Sequence, residues 1–590
     1  MADDSKDIDC LKVNLIKAMK EEDLETLEKV VGTCNNDFSV GSFLHAVVDK
    51  GSSTILKLLL QYGADVNAVH AEKEGYTLLH HAADKDQFDA ARILIKYKAN
   101  VNTTDGNGKF PITYAIENVN FEMTKLLVSS GAKIKYPWEI VDGTPDENFW
   151  RIIKFLVDND SGIDIDGRDK YGRTALNNIM CDRDDHPYMA DMYTEYEDIR
   201  NLRRDLAKTL LRRGADVDGQ MPCGWSLLHC VIYNNDNKFL KILLKYKANV
   251  NVATTDDMCT PLHLATGSGN YSATRMLIDA GARVNAKDVH GESVLTSACD
   301  AQNKEIVETL LKFGAKVDDT DKQNLTSMYT AATNDFEIVE TLLGACADVE
   351  YRDTSGITAL HMAVFFKCQK NVEELLEYGA DINRTCKPEE LEEFARRLND
   401  ENEDNVVERE ALILLNICNN ELRSDQNGSF ANIVDVIRRH ITKLKSLNMY
   451  VDKRYHESSL FVDESEEYRI ICEREVELMK REKIRRSNVS YYDILKKSTD
   501  QLASLTRNKR ITDILESLSR TKRFPVFRKM LHYHLKKGQH RGNLLRSSLK
   551  TFNVLSRFAL PESVSFDLLM HLSNLDLVNL IEADPNNDRR

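Results

Sequence analysis

Proline and glycine are scarce, at 10 and 26 of 590 residues. A loop-rich all-β protein draws heavily on both for its turns, so the shortage favours helix. Long apolar runs are missing as well. Nothing approaches the roughly 18 residues of a membrane-spanning helix, and the opening MADDSKDIDCLK lacks the apolar stretch of a secretion signal. The 12 cysteines stand singly, with no CxxC pair, as expected of reduced intracellular thiols and not of a disulfide framework or a zinc site. Positive charge is in deficit, 79 Lys and Arg against 94 Asp and Glu, for a net charge of -15. That balance argues against nucleic acid as the default partner. No nucleophile–His–carboxylate phrase, phosphate loop or kinase signature occurs, so no catalytic residue, cofactor or metal is assigned. The expectation is a non-catalytic protein of the cytoplasm or nucleus, without a membrane or nucleic-acid partner.

What the chain has instead is a repeat. A phrase ending in Gly-Ala-Asp-Val-Asn recurs at 63–67, 214–218, 281–285, 314–318 and 379–383, with weaker copies near Ala99, Ala132, Ile163, Ala248 and Ala347. Most steps are about 33 residues; one, between the copies at Ile163 and Ala215, is far longer and must hold an insertion. A second phrase precedes it: Thr77-Leu78-Leu79-His80, Ser226-Leu227-Leu228-His229, Thr260-Pro261-Leu262-His263 and Thr358-Ala359-Leu360-His361. Physically it is a helix start, because Thr or Ser caps free N–H groups and Pro261 fits a first turn that needs none. Leucine pairs such as Leu243-Leu244 and Leu310-Leu311 then supply the buried stripe of a second helix. The following Gly ends that helix and the Asp/Asn pair turns the chain.

On these residues the chain resembles the ankyrin-repeat family over about 39–383, some ten units, with residues 1–38 as a degenerate capping repeat. The resemblance implies helix-turn-helix units joined by β-turn fingers and stacked as an all-α solenoid. His45, His80, His229, His263 and His361 recur once per unit, so they form a ladder whose members stand too far apart to share a metal. Asn67, Asn251 and Asn285 are hydroxylation acceptors only by similarity to other ankyrin proteins. Two departures from the repeat are candidate target contacts. One is the acidic insertion Asp182–Asn201 with Tyr188, Tyr193 and Tyr196, suited to a basic partner or else a solvated loop. The other is Trp225 at a finger, either partly exposed or packed on its neighbour.

After Asn383 the period stops. Residues 384–428 are charge-dense, and 429–559 carry apolar positions at helical spacing, such as Ile433, Val436, Ile437 and Ile441. Within it, residues 501–560 hold 14 Lys and Arg against Asp513 and Glu516. Cations interleaved with Leu and Phe at helical spacing predict a solvated helix face, or one that docks an acidic partner, ahead of nucleic acid. Residues 560–590 open with an extended Leu-Pro, then two short amphipathic helices. This resembles the first part of an F-box, on Leu560, Pro561, Leu569, Leu572, Asp576, Leu577 and Leu580. A truncated F-box behind ankyrin repeats is similar to the PRANC family. The resemblance implies that Leu560, Pro561, Leu569, Leu572, Leu577 and Leu580 dock a Skp-type adaptor of a cullin–RING ubiquitin ligase, a helix-in-groove mode. An ordinary amphipathic cap on the C-terminal domain is the other reading. The expected function is thus an adaptor: the array holds a target protein and the tail recruits the ligase. The alternative is a stoichiometric, inhibitor-of-κB-like binder.

Overall fold

The computed structural model describes residues 41–134, 136–137, 146–159, 162–180, 197–333, 336–354, 356–383, 429–451, 455, 466–484, 489–505, 524–555, 569–572 and 574–582. Two compact units result, Met1–Thr255 and Asp256–Arg590. The first contains α1 (Gly41–Asp49), α2 (Ser53–Gln61), α3 (Leu78–Asp84), α4 (Phe88–Lys96), α5 (Pro111–Glu117), α6 (Phe121–Ser129), α7 (Glu147–Asp158), α8 (Ala175–Met180), α9 (Glu197–Arg212), α10 (Leu227–Tyr233) and α11 (Asn237–Lys245). The second begins with four helix pairs: α12 (Pro261–Gly267) with α13 (Tyr271–Asp279), α14 (Val294–Asp300) with α15 (Lys304–Lys312), α16 (Ser327–Ala332) with α17 (Phe336–Gly344), and α18 (Ala359–Phe365) with α19 (Gln369–Glu377). A helical block follows, of α20 (Ser429–Ser446), α21 (Glu466–Arg481), α22 (Tyr491–Lys496), α23 (Thr499–Leu505), α24 (Arg528–Leu555) and α25 (Asn574–Glu582). Within each unit the first helix of a pair packs on the first of the next, and the second on the second. This is the all-α repeat stack that the sequence predicts.

Local chemistry explains why each pair forms. The Leu-His histidine is the reciprocal half of a capping box, standing where Glu or Gln usually does. His80 Nδ1 accepts from the Thr77 amide at 3.1 Å, His229 from Ser226 at 3.0 Å, His263 from Thr260 at 3.3 Å and His361 from Thr358 at 3.2 Å. The second helix carries its own cap, as where Asn120, Asp236, Asn270 and Asn303 each accept from the amide three residues on. Its stripe is fully covered: Leu94, Leu127, Leu243, Leu310 and Leu375 expose nothing. Each such leucine contributes about 1.5–3 kcal/mol.

The Asp and Asn residues of the fingers are structural. Asp105, Asp169, Asp288 and Asp321 each accept two amides, two and four residues on, which closes the turn. Asn67 accepts from the Asn100 amide, Asn102 from Lys133, Asp218 from Asn249, Asn285 from Lys316 and Asp318 from Asp348, so one side chain per repeat bonds its neighbour's finger. Fingers also touch through the backbone. A Cβ on Gly224 would lie 2.3 Å from the Thr255 nitrogen, which only glycine avoids.

The insertion is anchored more deeply than its composition suggests. Helix α9 is 16 residues long, against 9 for α11, so Glu197–Asn201 of the acidic segment forms its opening turns. Buried Arg204 donates from Nε to Asp236 Oδ2 at 2.6 Å and from Nη1 to Asn201 at 2.8 Å. Arg203 donates to the Ile179 carbonyl, with its guanidinium 5.4 Å from the Trp150 ring centroid. Cys223, Cys259, Cys299, Cys346, Cys368 and Cys472 are free thiols.

In the second unit the helical block is built onto the last repeats. Its core unites Val476, Met479, Ile494, Leu502, Phe527 and Leu531, and buried Glu475 accepts the Val526 and Phe527 amides at the start of α24. Tyr533 stacks edge-on against Tyr378, with centroids 5.0 Å apart. Lys529 pairs with Glu374, Lys443 with Glu377, and Lys537 lies 3.4 Å from Asp348. Lys536 bonds the Gly344 carbonyl, and Tyr455 donates to Ile382 at 2.7 Å. Of the basic stretch, Lys529, Lys537 and Arg541 thus have acidic partners inside the same chain.

Candidate interaction surfaces

A constant frame carries a variable pair of positions in the first unit. The residue just before each cap touches the residue eight places on, near the end of the first helix of its pair. Tyr76 donates its hydroxyl to Asp84 at 2.9 Å, Lys109 pairs with Glu117 at 2.5 Å, and the Trp225 and Tyr233 rings meet edge-on with centroids 5.9 Å apart. The same two positions thus hold a Tyr–Asp, a Lys–Glu and a Trp–Tyr pair. Trp225 closes its finger, since its carbonyl accepts from the Met221 amide at 2.8 Å, and it is half-buried, leaving Pro222 and Cys223 exposed at the tip. Tyr233 is 37% exposed. On the finger of 169–173, Tyr171 is 56% exposed, with Lys170 4.9 Å and Arg173 5.7 Å from its ring.

Burial and hydrogen bonds shift the titration of several groups on this surface. Burial and then the bond to Asp84 push the Tyr76 phenol well above its usual range. Burial alone would raise Asp105, but the Tyr114 hydroxyl at 2.6 Å and the Lys109 and Asn107 amides bring it below the usual carboxylate range. Burial, then the charge of His81, lowers His45 to about 4. Its Nδ1 lies 3.0 Å from His81 Nδ1, and its Nε2 3.3 Å from the Ala68 carbonyl. The other Leu-His histidines are each occupied by their own cap. Among the described residues no group of three His, Cys, Asp or Glu side chains converges as a metal site.

The second surface is α25 with the preceding residues 569–572. Leu569 and Leu577 are buried against Ala503 and Leu545, while Leu572 and Leu580 pack half-buried at the edge of that cluster. Leu560 and Pro561 lie outside the described residues, as do Tyr188, Tyr193 and Tyr196. Two features lacked any local signal in the sequence. Trp225 apart, the residue before the cap becomes visible only once the eight-residue pairing is seen, and Arg541, which bonds the Met570 carbonyl and Asn574, is one cation among fourteen. Among the described residues no helix is long and apolar enough to cross a membrane.

Comparison with known proteins agrees with this geometry. The family profile described as ankyrin repeats (3 copies) matches residues 15–137, 199–288 and 295–386, more than half of the chain. Neurogenic locus notch homolog protein 2 of Homo sapiens is 36% identical over 124 residues, 21% of this chain and 5% of its own length. The nuclear factor NF-kappa-B p105 subunit of Gallus gallus is 32% identical over 168 residues, 25% of this chain and 17% of its own. Delta-latroinsectotoxin-Lt1a of Latrodectus tredecimguttatus is 32% identical over 124 residues, 20% and 10% respectively. The chain therefore spans only a small fraction of these curated relatives.

Proposed function

Because the chain belongs to the ankyrin-repeat family, we propose that it is a non-catalytic adaptor whose array holds a protein target and whose F-box-like terminal residues 560–590 recruit a Skp/cullin-type ubiquitin ligase. Ankyrin repeats are protein-binding scaffolds, and the observation carrying the target half is the variable pair set on a constant frame. Three chemistries stand at one structural position while the leucine stripe and the bonds from Asn67, Asn102 and Asp218 to the next finger recur, although the cap changes from Thr77–His80 and Ser226–His229 to Phe110–Thr113 and Tyr76 is buried. Half-exposed Trp225 and Tyr233 are the aromatic anchors such a surface needs.

The ligase half draws support from the order Leu569, Leu572, Leu577, Leu580, the last two on α25. Half-exposed Met570, Leu572, Val578 and Leu580 remain for a groove to grip. Transfer would then rest on proximity, since tethering raises the effective concentration of target lysines near the charged conjugating enzyme. The rival reading is a stoichiometric binder, for which the array alone suffices.

Proximity labelling in cells separates the halves. With Leu572→Glu and Leu580→Glu together, adaptor and cullin signals should vanish while target signals persist. Trp225→Ala with Tyr233→Ala should do the reverse. Adaptor recovery unchanged by the leucine variant removes the ligase half and leaves the stoichiometric binder.

A further inference from the structure

In the first unit the second row of helices repeats a charge as well as a shape. Four residues before the last residue of each helix stands a cation: Lys57 on α2, Arg92 on α4, Lys125 on α6, Lys154 on α7, Lys208 on α9 and Lys241 on α11. Lys57, Arg92, Lys125 and Lys241 are exposed, and Lys154 and Lys208 half-buried. Lys208 lies 2.9 Å from Asp205, but no acidic side chain among the described residues pairs with the other five. Beyond their first turns these helices carry only two acids, Asp158 and Asp205. Lys96, Arg212 and Lys245 end α4, α9 and α11 and add to the same sign.

Folding does not demand this row. The helix dipole favours cations within the last turn, and these six stand a full turn earlier. At the same position the second unit holds Arg275, paired with Asp279 at 3.0 Å, and then Glu308, Glu340 and Glu373. The repeat thus accepts either sign there, and only the first unit keeps one sign with a single member neutralised. Spacing then selects the partner. Helix α2 packs on α4, α4 on α6, α6 on α7 and α7 on α9, and Arg204 with Asp236 joins α9 to the cap of α11. Packed helices stand about 8–10 Å apart, so the six cations form a file roughly 40–50 Å long. An extended polypeptide advances about 3.3 Å per residue, so a carboxylate at every third residue meets one rung after another. Duplex DNA carries a charge about every 1.7 Å, a density that one cation per helix cannot match.

We propose that the second-row face of the first unit is a docking track for an extended acidic segment of a protein partner, separate from the variable pairs beside the fingers. The array then has two binding faces of different character. Aromatic anchors serve one, and a line of like charge serves the other. Exposed ion pairs contribute more to capture and register than to tight holding, so this face steers an acidic chain into line along the helices.

The test is fluorescence anisotropy on the full chain with a labelled peptide of Glu-Gly-Ser repeats long enough to span the file. Screening weakens exposed ion pairs, so affinity should fall roughly tenfold between low and physiological salt. Arg92→Glu with Lys125→Glu should lower low-salt affinity by about tenfold or more, with the thermal midpoint unchanged because both side chains are exposed. Arg92→Lys with Lys125→Arg should keep the affinity, and Trp225→Ala with Tyr233→Ala should leave it as it is. Wild type that fails to bind the peptide, or a charge-reversed variant that binds it equally, overturns the track. Tighter binding of a DNA duplex or of phosphatidylserine vesicles than of the peptide, lost in the same charge-reversed variant, overturns the choice of an acidic protein.

Discussion

The hydroxyl of Tyr533 donates to the carbonyl oxygen of Ala347 at 3.1 Å, joining residues 186 apart in sequence. Its ring is 2% exposed and packs on Tyr378. Tyr533→Phe should therefore cost about 1 kcal/mol, the worth of one buried hydrogen bond. Tyr533→Ala should cost about 3–5 kcal/mol, because the ring's packing goes as well. In urea unfolding the Ala variant should also lose cooperativity, the last repeats melting apart from the helical block. A single transition of unchanged steepness would show that this contact does not couple them.

Gly538 lies within the 28-residue α24, where helix propensity alone would favour alanine by about 1 kcal/mol. Yet a Cβ there would stand 2.4 Å from Leu502 Cβ and 3.1 Å from the Leu502 carbonyl carbon. Backbone cannot give way as a flexible side chain can, so the overlap, about 1–3 kcal/mol, should outweigh propensity. Gly538→Ala is expected to lower the block's thermal midpoint. A raised midpoint would mean that α23 and α24 separate easily.

How much of this was legible follows from how local each signal is. The cap, the leucine stripe and the finger Asp all bond within four residues or to the next repeat, so a one-dimensional period exposes them. Lys529–Glu374 and Lys536–Gly344 join distant segments that share no period. The sequence marked the basic stretch as a solvated helix face or one for an acidic partner, and part of it is turned onto the repeats. Nothing local to Arg203 and Arg204 in the sequence signals the carbonyl and carboxylate that receive them. Leu569 and Leu577 were marked as docking residues by resemblance to an F-box, and a resemblance does not say what covers those side chains within the chain itself.

Arg204 and Asp236 form an ion pair whose side chains are 7% and 5% exposed. Asp236 also caps α11 by accepting the Phe239 amide at 3.0 Å. Asp236→Asn preserves the cap but removes the charge facing the guanidinium. Breaking a buried pair from one side costs about 3–5 kcal/mol. Glu197 at 3.3 Å retains part of Arg204's compensation, so a loss near 2–3 kcal/mol is expected. Adding Arg204→Met should recover part of it, because the orphaned charge leaves too. A double variant no more stable than the single would refute this account.

His361 gives the array a pH dependence of fixed sign. Burial first, and the charge of Arg352 second, lower its imidazole to about 4, below the ordinary value near 6.5. The folded cap uses the neutral ring, since Nδ1 accepts the Thr358 amide. As pH falls through 6.5 the unfolded chain takes up a proton that the folded one refuses, so stability drops until about pH 4 and then levels. At about 1.4 kcal/mol per unit, the loss is on the order of 3 kcal/mol. Glutamine also completes a capping box and does not titrate. His361→Gln should therefore sit close to wild type at pH 5.5 to 6 and exceed it at pH 4.5, measured as urea midpoints. Parallel pH profiles for the two proteins would show that the imidazole carries no part of the dependence.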